Sequence, residues 1–281
     1  MKAQALIASL LGAASLAVCA APTDLDTTFG GTGKVITDIN DSDFATSVAV
    51  QTDGKIVVAG YCVNGAVICV ARYSATGALD TTFNATGTVQ TPVNSGTDRA
   101  LGLAIQGDGK IVVSGACERP IANTPFFTQE FCVVRYTTSG ALDTNFNTTG
   151  FVQVAVGANF FDSGNAVAIQ SDGKIVVAGT CANFSSTAAE ICIVRFTSAG
   201  AFDTAFNATG KVVTALGSGL NTGQTVVVQP DGKIVAAGNC DSVAIQEFCV
   251  LRYTANGVSD ATFNATGILR FPIGSGSALA N

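Results

Sequence analysis

Neither histidine nor tryptophan occurs anywhere in the 281 residues. The first absence removes every Ser-His-Asp or Cys-His mechanism and every imidazole metal site. The second weakens a sugar-binding site built on a stacked indole. Charge is scarce as well: Asp, Glu, Lys and Arg make up 12% of the chain, well below the usual quarter of a soluble domain. The formal net charge is -6. Most of the basic residues fall at two recurring positions, so no basic patch is left to track a phosphate backbone, and nucleic acid is excluded as a partner. Beyond the first twenty residues no apolar run is long enough to cross a bilayer as a helix. What the chain does have is 48% hydrophobic residues and 31 glycines, enough apolar material for a sizeable core.

The N-terminus reads as an export signal. Lys2 precedes an apolar run from Ala3 to Val18, and small residues lead to Pro22, the pattern of a signal peptide over residues 1–20 with cleavage after Ala20. The alternative is a lipid anchor at Cys19, since Leu16-Ala17-Val18-Cys19 is close to a lipobox, although Val18 stands where a smaller residue is usual. Either reading places the protein outside the cytoplasm, secreted or periplasmic, and leaves residues 21–281 as one domain.

One stretch organises that domain. Gln51 to Gly60 (QTDGKIVVAG) returns as Gln106 to Gly115, Gln170 to Gly179 and Gln229 to Gly238. Each copy reads as strand, Asp-Gly turn, strand, and Asp-Gly suggests a two-residue hairpin with φ > 0 at both central positions. A second marker, Leu25 to Phe29, returns as Leu79 to Phe83, Leu142 to Phe146, Phe202 to Phe206 and Ser259 to Phe263. A full unit is therefore strand a (Ser47 to Gln51), strand b (Lys55 to Cys62), strand c (Ile68 to Tyr73), an Asp-containing connector and strand d (Thr88 to Val93). The units fall near 24–83, 84–146, 147–206 and 207–281. Strand b is apolar at nearly every position, as a sheet covered on both faces requires. Repeated four-stranded antiparallel units with both faces buried predict an all-β fold, a β-propeller of four blades. The piece Leu25 to Ile39 is a connector and strand d without a, b or c before it. It is expected to close the ring on the last blade; the alternative is an open arc that forms a homodimer through this spare edge strand.

Gln-x-Asp-Gly-Lys-Ile-Val-x-Ala/Ser-Gly, then Val-x-Arg-Tyr/Phe, then Gly-x-x-Asp-x-x-Phe with Gly four residues on, resembles the delta-60 repeat family of exported bacterial proteins over about Asp24 to Ile273. The resemblance implies a propeller and export, and brings no agreed ligand, reaction or catalytic residue. Two departures are the Asn that follows the connector Phe in place of Gly, and a pair of cysteines in every unit.

Those cysteines lie at the end of strand b and near the start of strand c. Neighbours on an antiparallel hairpin come within bridging distance, so four local disulfides are expected: Cys62–Cys69, Cys117–Cys132, Cys181–Cys192 and Cys240–Cys249. Zinc is the competing reading, disfavoured by export and by the separation of the pairs. Arg72, Arg135, Arg195 and Arg252 each precede an Asp by eight residues (Asp80, Asp143, Asp203, Asp260), and a structural ion pair is expected at each, against a charged ring lining a channel. Lys55, Lys110, Lys174 and Lys233 read as solvated strand starts. The Asn-x-Thr triplets at Asn84, Asn147, Asn207 and Asn264 read as turn residues that tolerate left-handed φ rather than glycan acceptors. Asp38 to Asp43 fails the spacing of a calcium loop, and no metal or cofactor is expected.

In an a-b-c-d unit the a–b turns and c–d connectors share one rim, whereas the b–c and d–a loops, which carry the length variation, share the other. Insertions on one face of a repeat array commonly mark a binding face. Glu130, Glu190 and Glu247, each two residues before the second cysteine of its pair, together with Glu118, Arg119 and Asp241 and with Asp162 near by, are the candidate ligand contacts. The sequence thus points to a binding or cell-surface interaction module for an extracellular protein or glycan. The alternatives are a purely structural secreted repeat protein and, less well supported without histidine, a carboxylate-based propeller hydrolase or lyase.

Overall fold

A computed structural model describes residues 24–40, 42–157, 161–182, 188–217, 219–241 and 246–272. The expected signal peptide and Cys19 lie outside them. The hairpin turns show why the repeat folds as it does, and correct the turn length read from the sequence. Gln51 N–H donates to Lys55 O (2.8 Å) and Gly54 N–H to Gln51 O (2.9 Å), so three residues, Thr52 to Gly54, make the bend. Gly54 alone among them has φ > 0, at 82°, and Asp53 Oδ1 accepts the Lys55 N–H. This is a type I turn closed by a left-handed glycine, the common three-residue hairpin. Asp therefore serves here as a side-chain acceptor and not as a second left-handed residue. Gly109, Gly173 and Gly232 repeat it at φ of 82–83°.

The strands in chain order are β1 (Phe44–Val50), β2 (Ile56–Cys62), β3 (Val67–Tyr73), β4 (Thr88–Thr91), β5 (Asp98–Ile105), β6 (Ile111–Pro120), β7 (Phe127–Tyr136), β8 (Phe151–Val154), β9 (Phe161–Ile169), β10 (Ile175–Ala182), β11 (Ala189–Phe196), β12 (Lys211–Thr214), β13 (Thr222–Val228), β14 (Ile234–Asp241), β15 (Gln246–Tyr253) and β16 (Ile268–Phe271). No helix occurs among the described residues. Within each set of four, neighbours in sequence pair antiparallel. A single parallel pair, Gln129 with Phe161, joins the second and third sets into one eight-stranded sheet.

Every first strand carries a register shift. There the glycine that ends the motif faces the carbonyl of the bulged strand: a Cβ on Gly60, Gly115, Gly179 or Gly238 would lie 1.8 Å from a backbone oxygen. Consecutive sets pack through their first strands, β1 against β5, β5 against β9 and β9 against β13. The connector seals each junction. Phe83, Phe146 and Phe206 are fully buried, and the N–H of the following Asn reaches the next unit's turn: Asn84 to Ser139 O (2.7 Å), Asn147 to Ala199 O and Asn207 to Asn256 O (both 2.8 Å). These asparagines have φ of 49–50° and the residues after them 59–61°, so the turn reading explains the Asn-x-Thr triplets.

The closed ring is not what the described residues form. No comparable packing joins β13–β16 to β1–β4 among them. The stretch from Leu25 to Ile39 pairs in no ladder and instead lies over the first sheet, where Gly30 N–H donates to Thr76 O (2.8 Å) and Tyr73 Oη to Thr37 Oγ1 (2.8 Å). The same connections, Tyr136 Oη with Thr91 and Tyr253 Oη with Thr214 (both 2.6 Å), link later units. A connector seats by its Phe and its N–H wherever a turn is offered, and the N-terminal copy finds the first unit's turn.

Candidate functional site

At the variable rim the first cysteine of each pair sits in a row running across the sheet. Asp98, Cys117 and Glu130 are directly opposed on β5, β6 and β7; Asp162, Cys181 and Glu190 are opposed on β9, β10 and β11. In the last unit Cys240 faces Glu247, and Asn221 takes the place of the aspartate. The disulfides join each first cysteine to one two places along the neighbouring strand, with Cα atoms 5.9, 5.7, 6.0 and 5.8 Å apart for Cys62–Cys69, Cys117–Cys132, Cys181–Cys192 and Cys240–Cys249. Each second cysteine is opposite the bulge-facing glycine. Bridges closing loops of this size stabilise by about 2 to 3 kcal/mol, and all eight thiols are spent on them.

The aspartates at the head of strand a hold the rim loops, a role that the motif reading missed, although it placed Asp162 near the candidate contacts. Asp98 Oδ2 accepts the N–H groups of Val93 (2.7 Å) and Asn94 (3.0 Å). Asp162 Oδ2 accepts those of Val156 (2.8 Å) and Gly157 (3.2 Å), and Asp43 Oδ2 accepts that of Ile39 (2.6 Å). They cap the d–a loops. The signal was present, because Asp43, Asp98, Asp162 and Asn221 each stand eight residues before the Gln that opens the hairpin.

Asp98 and Asp162 are fully buried, and burial pushes both carboxyls above the usual carboxylate range, with the charges of Glu118 and Glu130 adding to the effect against the opposing amide bonds. A raised carboxyl pKa means that the folded state holds the proton more readily than the unfolded chain. These groups therefore reduce stability at neutral pH, and the penalty is relieved as pH falls through the folded value toward the ordinary one near 3.8. Asp162 Oδ1 and Glu130 Oε2 are both buried without a hydrogen-bond partner. Asp162→Asn keeps an acceptor for the two amides and removes the charge facing Glu130. We expect it to raise the unfolding free energy at pH 7 by about 1 kcal/mol and to change little near pH 4. Urea titrations at the two pH values check this, and an equal loss at both would refute it.

Of the sequence-derived contacts Arg119 and Glu130 meet as an ion pair, and the rest are not gathered with them into one site. Glu118 Oε2 accepts the Thr97 N–H (2.9 Å). Glu130 is buried and paired with Arg119, whose own side chain is 57% exposed. Asp241 Oδ2 accepts the Leu220 N–H (2.9 Å), and Glu247 pairs with Arg270 at 2.9 Å. Glu190 lies half-buried on β11. Four of the six therefore hold loop bases, each within its own unit. The exposed side chains near them are Arg119 and, at the tip of the longest b–c hairpin, Phe126 and Phe127, 59% and 39% exposed.

The opposite rim is a lattice of paired charge. Arg72, Arg135, Arg195 and Arg252 place Nε 2.8–2.9 Å from Asp80, Asp143, Asp203 and Asp260. The first and last pairs are aligned hydrogen bonds, whereas the middle two meet as ion pairs off the N–H line. Each guanidinium lies 4.7–4.8 Å from the centre of a connector Phe ring. The turn lysines, read as solvated, in fact bridge their own turn Asp to the connector Asp: Lys55 lies 3.3 Å from both Asp53 and Asp80. Hydrogen bonds from the Thr262 side chain and backbone, with Arg252 and Lys233 near by, hold Asp260 down to about 2, and Asp80 is lowered for the same reasons through Thr82 and Lys55. Clefts of about 400 and 900 Å³ open between successive turns on this rim.

Comparison with known proteins agrees at the level of architecture. A family model described as "Domain of unknown function (DUF5122) beta-propeller" matches residues 51–83, 170–206 and 229–263. That is three of the four hairpin-to-connector stretches; the second, with the longest insertion between its cysteines, lies outside the matched segments. No curated protein matches the chain. Among solved structures, Kuenenia stuttgartiensis hydrazine synthase is similar with a TM-score of 0.40 and 15% identity, over 83% of this chain and 33% of that one. A polysaccharide lyase, PL25-Ulvanlyase, is similar with a TM-score of 0.33 and 8% identity over 76% of this chain and 68% of that one. The chain spans about a third of the hydrazine synthase chain that it matches. Three of the four hairpin-to-connector repeats of this all-β chain thus match the model of a β-propeller family.

Proposed function

We propose that the chain is an exported, disulfide-stapled propeller of four four-stranded blades, one domain over residues 21–281, that acts as an interaction module through its variable rim and not as an enzyme. Kinship with the delta-60 repeats belongs to the same reading. The observation that carries it is the coincidence on one rim of length variation with rigid loop bases, fixed before anything binds by a disulfide in every unit, by aspartate caps in the first three and by rim carboxylates in the second and last. Preorganised loops lose less conformational entropy on binding. Glu118, Glu130, Asp241 and Glu247 are loop supports in this reading, and Arg119, Phe126, Phe127 and Glu190 are the contacts. Aromatic side chains beside an exposed Arg suit a protein surface best. Four disulfides support an oxidising compartment, and no helix among the described residues is long and apolar enough to cross a membrane.

The test is a binding screen of the mature chain against extracellular proteins and glycans, repeated with Arg119, Phe126 and Phe127 all changed to Ala. Binding is expected to fall by about 10- to 100-fold at constant thermal stability. Undiminished binding would remove this hairpin from the interface. A screen without binders would favour the purely structural reading, which the internal commitment of four rim residues already supports.

A further inference from the structure

Stacking leaves the two ends of the array unsatisfied in complementary ways. Along the front of the first sheet Ile56, Val58 and Tyr73 are partly exposed, while their equivalents in the second unit, Ile111, Val113 and Tyr136, are at 0%. The N-terminal segment covers this face incompletely, and an apolar cavity of about 360 Å³ remains between Phe29, Val35 and the sheet. Phe44, Val48 and Val50 beside it are 54–66% exposed. On the back of the last sheet Val235, Ala237 and Val250 are partly exposed; the matching Val57, Ala59 and Val70 of the first unit are at 0–1%.

The connector tells the same story in polar groups. Five connectors serve four turn sockets. Arg72, Arg135 and Arg195 each donate from Nη1 to the carbonyl of the next unit's turn, at Thr138, Ser198 and Ala255. Arg252 finds no such carbonyl among the described residues, and its side chain is 20% exposed against 4–7% for the others. Phe263 is half-buried, and Asn264 N–H, unlike its three counterparts, reaches no turn among the described residues. The matching socket at Thr76 and Gly77 is held by Phe29 and Gly30 of the chain's own N-terminus.

We propose that the last unit of one chain docks on the first unit of a second copy, its Phe263–Asn264 connector replacing that copy's N-terminal Phe29–Gly30 connector in the Thr76–Gly77 socket. The chains thereby join head to tail. A second copy is the partner because the contact would continue, in the same register, an interface that the chain already makes three times within itself. The exchange restores a carbonyl to Arg252 and fills the cavity over Ile56 and Val58. The N-terminal segment acts as a cap, favoured in the isolated chain because it is tethered to its socket. Such a heterologous contact grows open chains unless its geometry closes. This inference rests on unit stacking and not on the rim reading.

The full mature chain carrying Phe29→Ala and Thr37→Val weakens the cap without touching the socket. Sedimentation velocity across the micromolar range is expected to show self-association strengthened by at least about tenfold, and Phe263→Ala added to the same chain should abolish it. Phe263→Ala alone, at a half-exposed position, should leave circular dichroism unchanged and serve as the folding control. A cap-weakened chain that keeps its native circular dichroism and remains monomeric would overturn the proposal, whether the free ends stay apart or close on themselves. Association that persists with Phe263→Ala would overturn it equally.

Discussion

Replacing Asp143 by Ala is expected to lower the unfolding free energy by about 3 to 5 kcal/mol, because it strands a buried guanidinium. Arg135 is 5% exposed and Asp143 2%, with Nε and Oδ2 2.9 Å apart. The Phe146 face and the Ser198 carbonyl remain as partners, but neither neutralises the charge. The cost belongs to the unpaired ion and not to the pair as such. Changing both partners, Arg135→Met with Asp143→Leu, is therefore expected to recover most of the loss. The same Asp→Ala change at Asp260 should cost much less, since Arg252 can turn to water at the open end. Urea denaturation of the three variants measures the gradient, and equal losses at positions 143 and 260 would contradict the open array.

Gly115→Ala should be nearly as damaging, at about 3 kcal/mol or more. The strain is not conformational, since Gly115 is absent from the positive-φ glycines. It is steric: the added methyl would lie 1.8 Å from Arg99 O and 2.9 Å from its carbon. The oxygen belongs to the bulged strand, so relief requires the β5–β6 ladder to part, next to the Cys117–Cys132 bridge. Gly107→Ala in the neighbouring turn, where an added Cβ meets nothing within 4 Å, is the control, and comparable melting temperatures for the two variants would show that the bulge yields.

Much of this was legible in the residues. The Cys pairs and the Arg–Asp spacing of eight are each satisfied within fifteen residues, so repetition alone reveals them, whereas the connector Phe recurs as visibly but finds its contacts on the next unit's turn. The turn length was misread because Asp-Gly suits a two-residue bend equally well, and only the hydrogen bond from Gln51 to Lys55 distinguishes them. The rim glutamates read as candidate ligand contacts because opposition to a cysteine, and an amide within reach, are invisible in one dimension. Asp98 and Asp162 announce themselves by an offset of eight from the hairpin Gln, yet their burial comes from neighbouring strands.

By itself the sequence determined the unit: four strands, a glycine-closed turn, a sulfur bridge and a connector with its charge pair, all enforced by local backbone geometry and short-range contacts. The tertiary structure alone decided which copies of that unit have neighbours. Arg135 and Arg252 occupy equivalent places in equivalent motifs, yet one is sealed and the other half-open. Burial is a property of what stacks on a surface, and which copy has a neighbour is not written in the repeat itself.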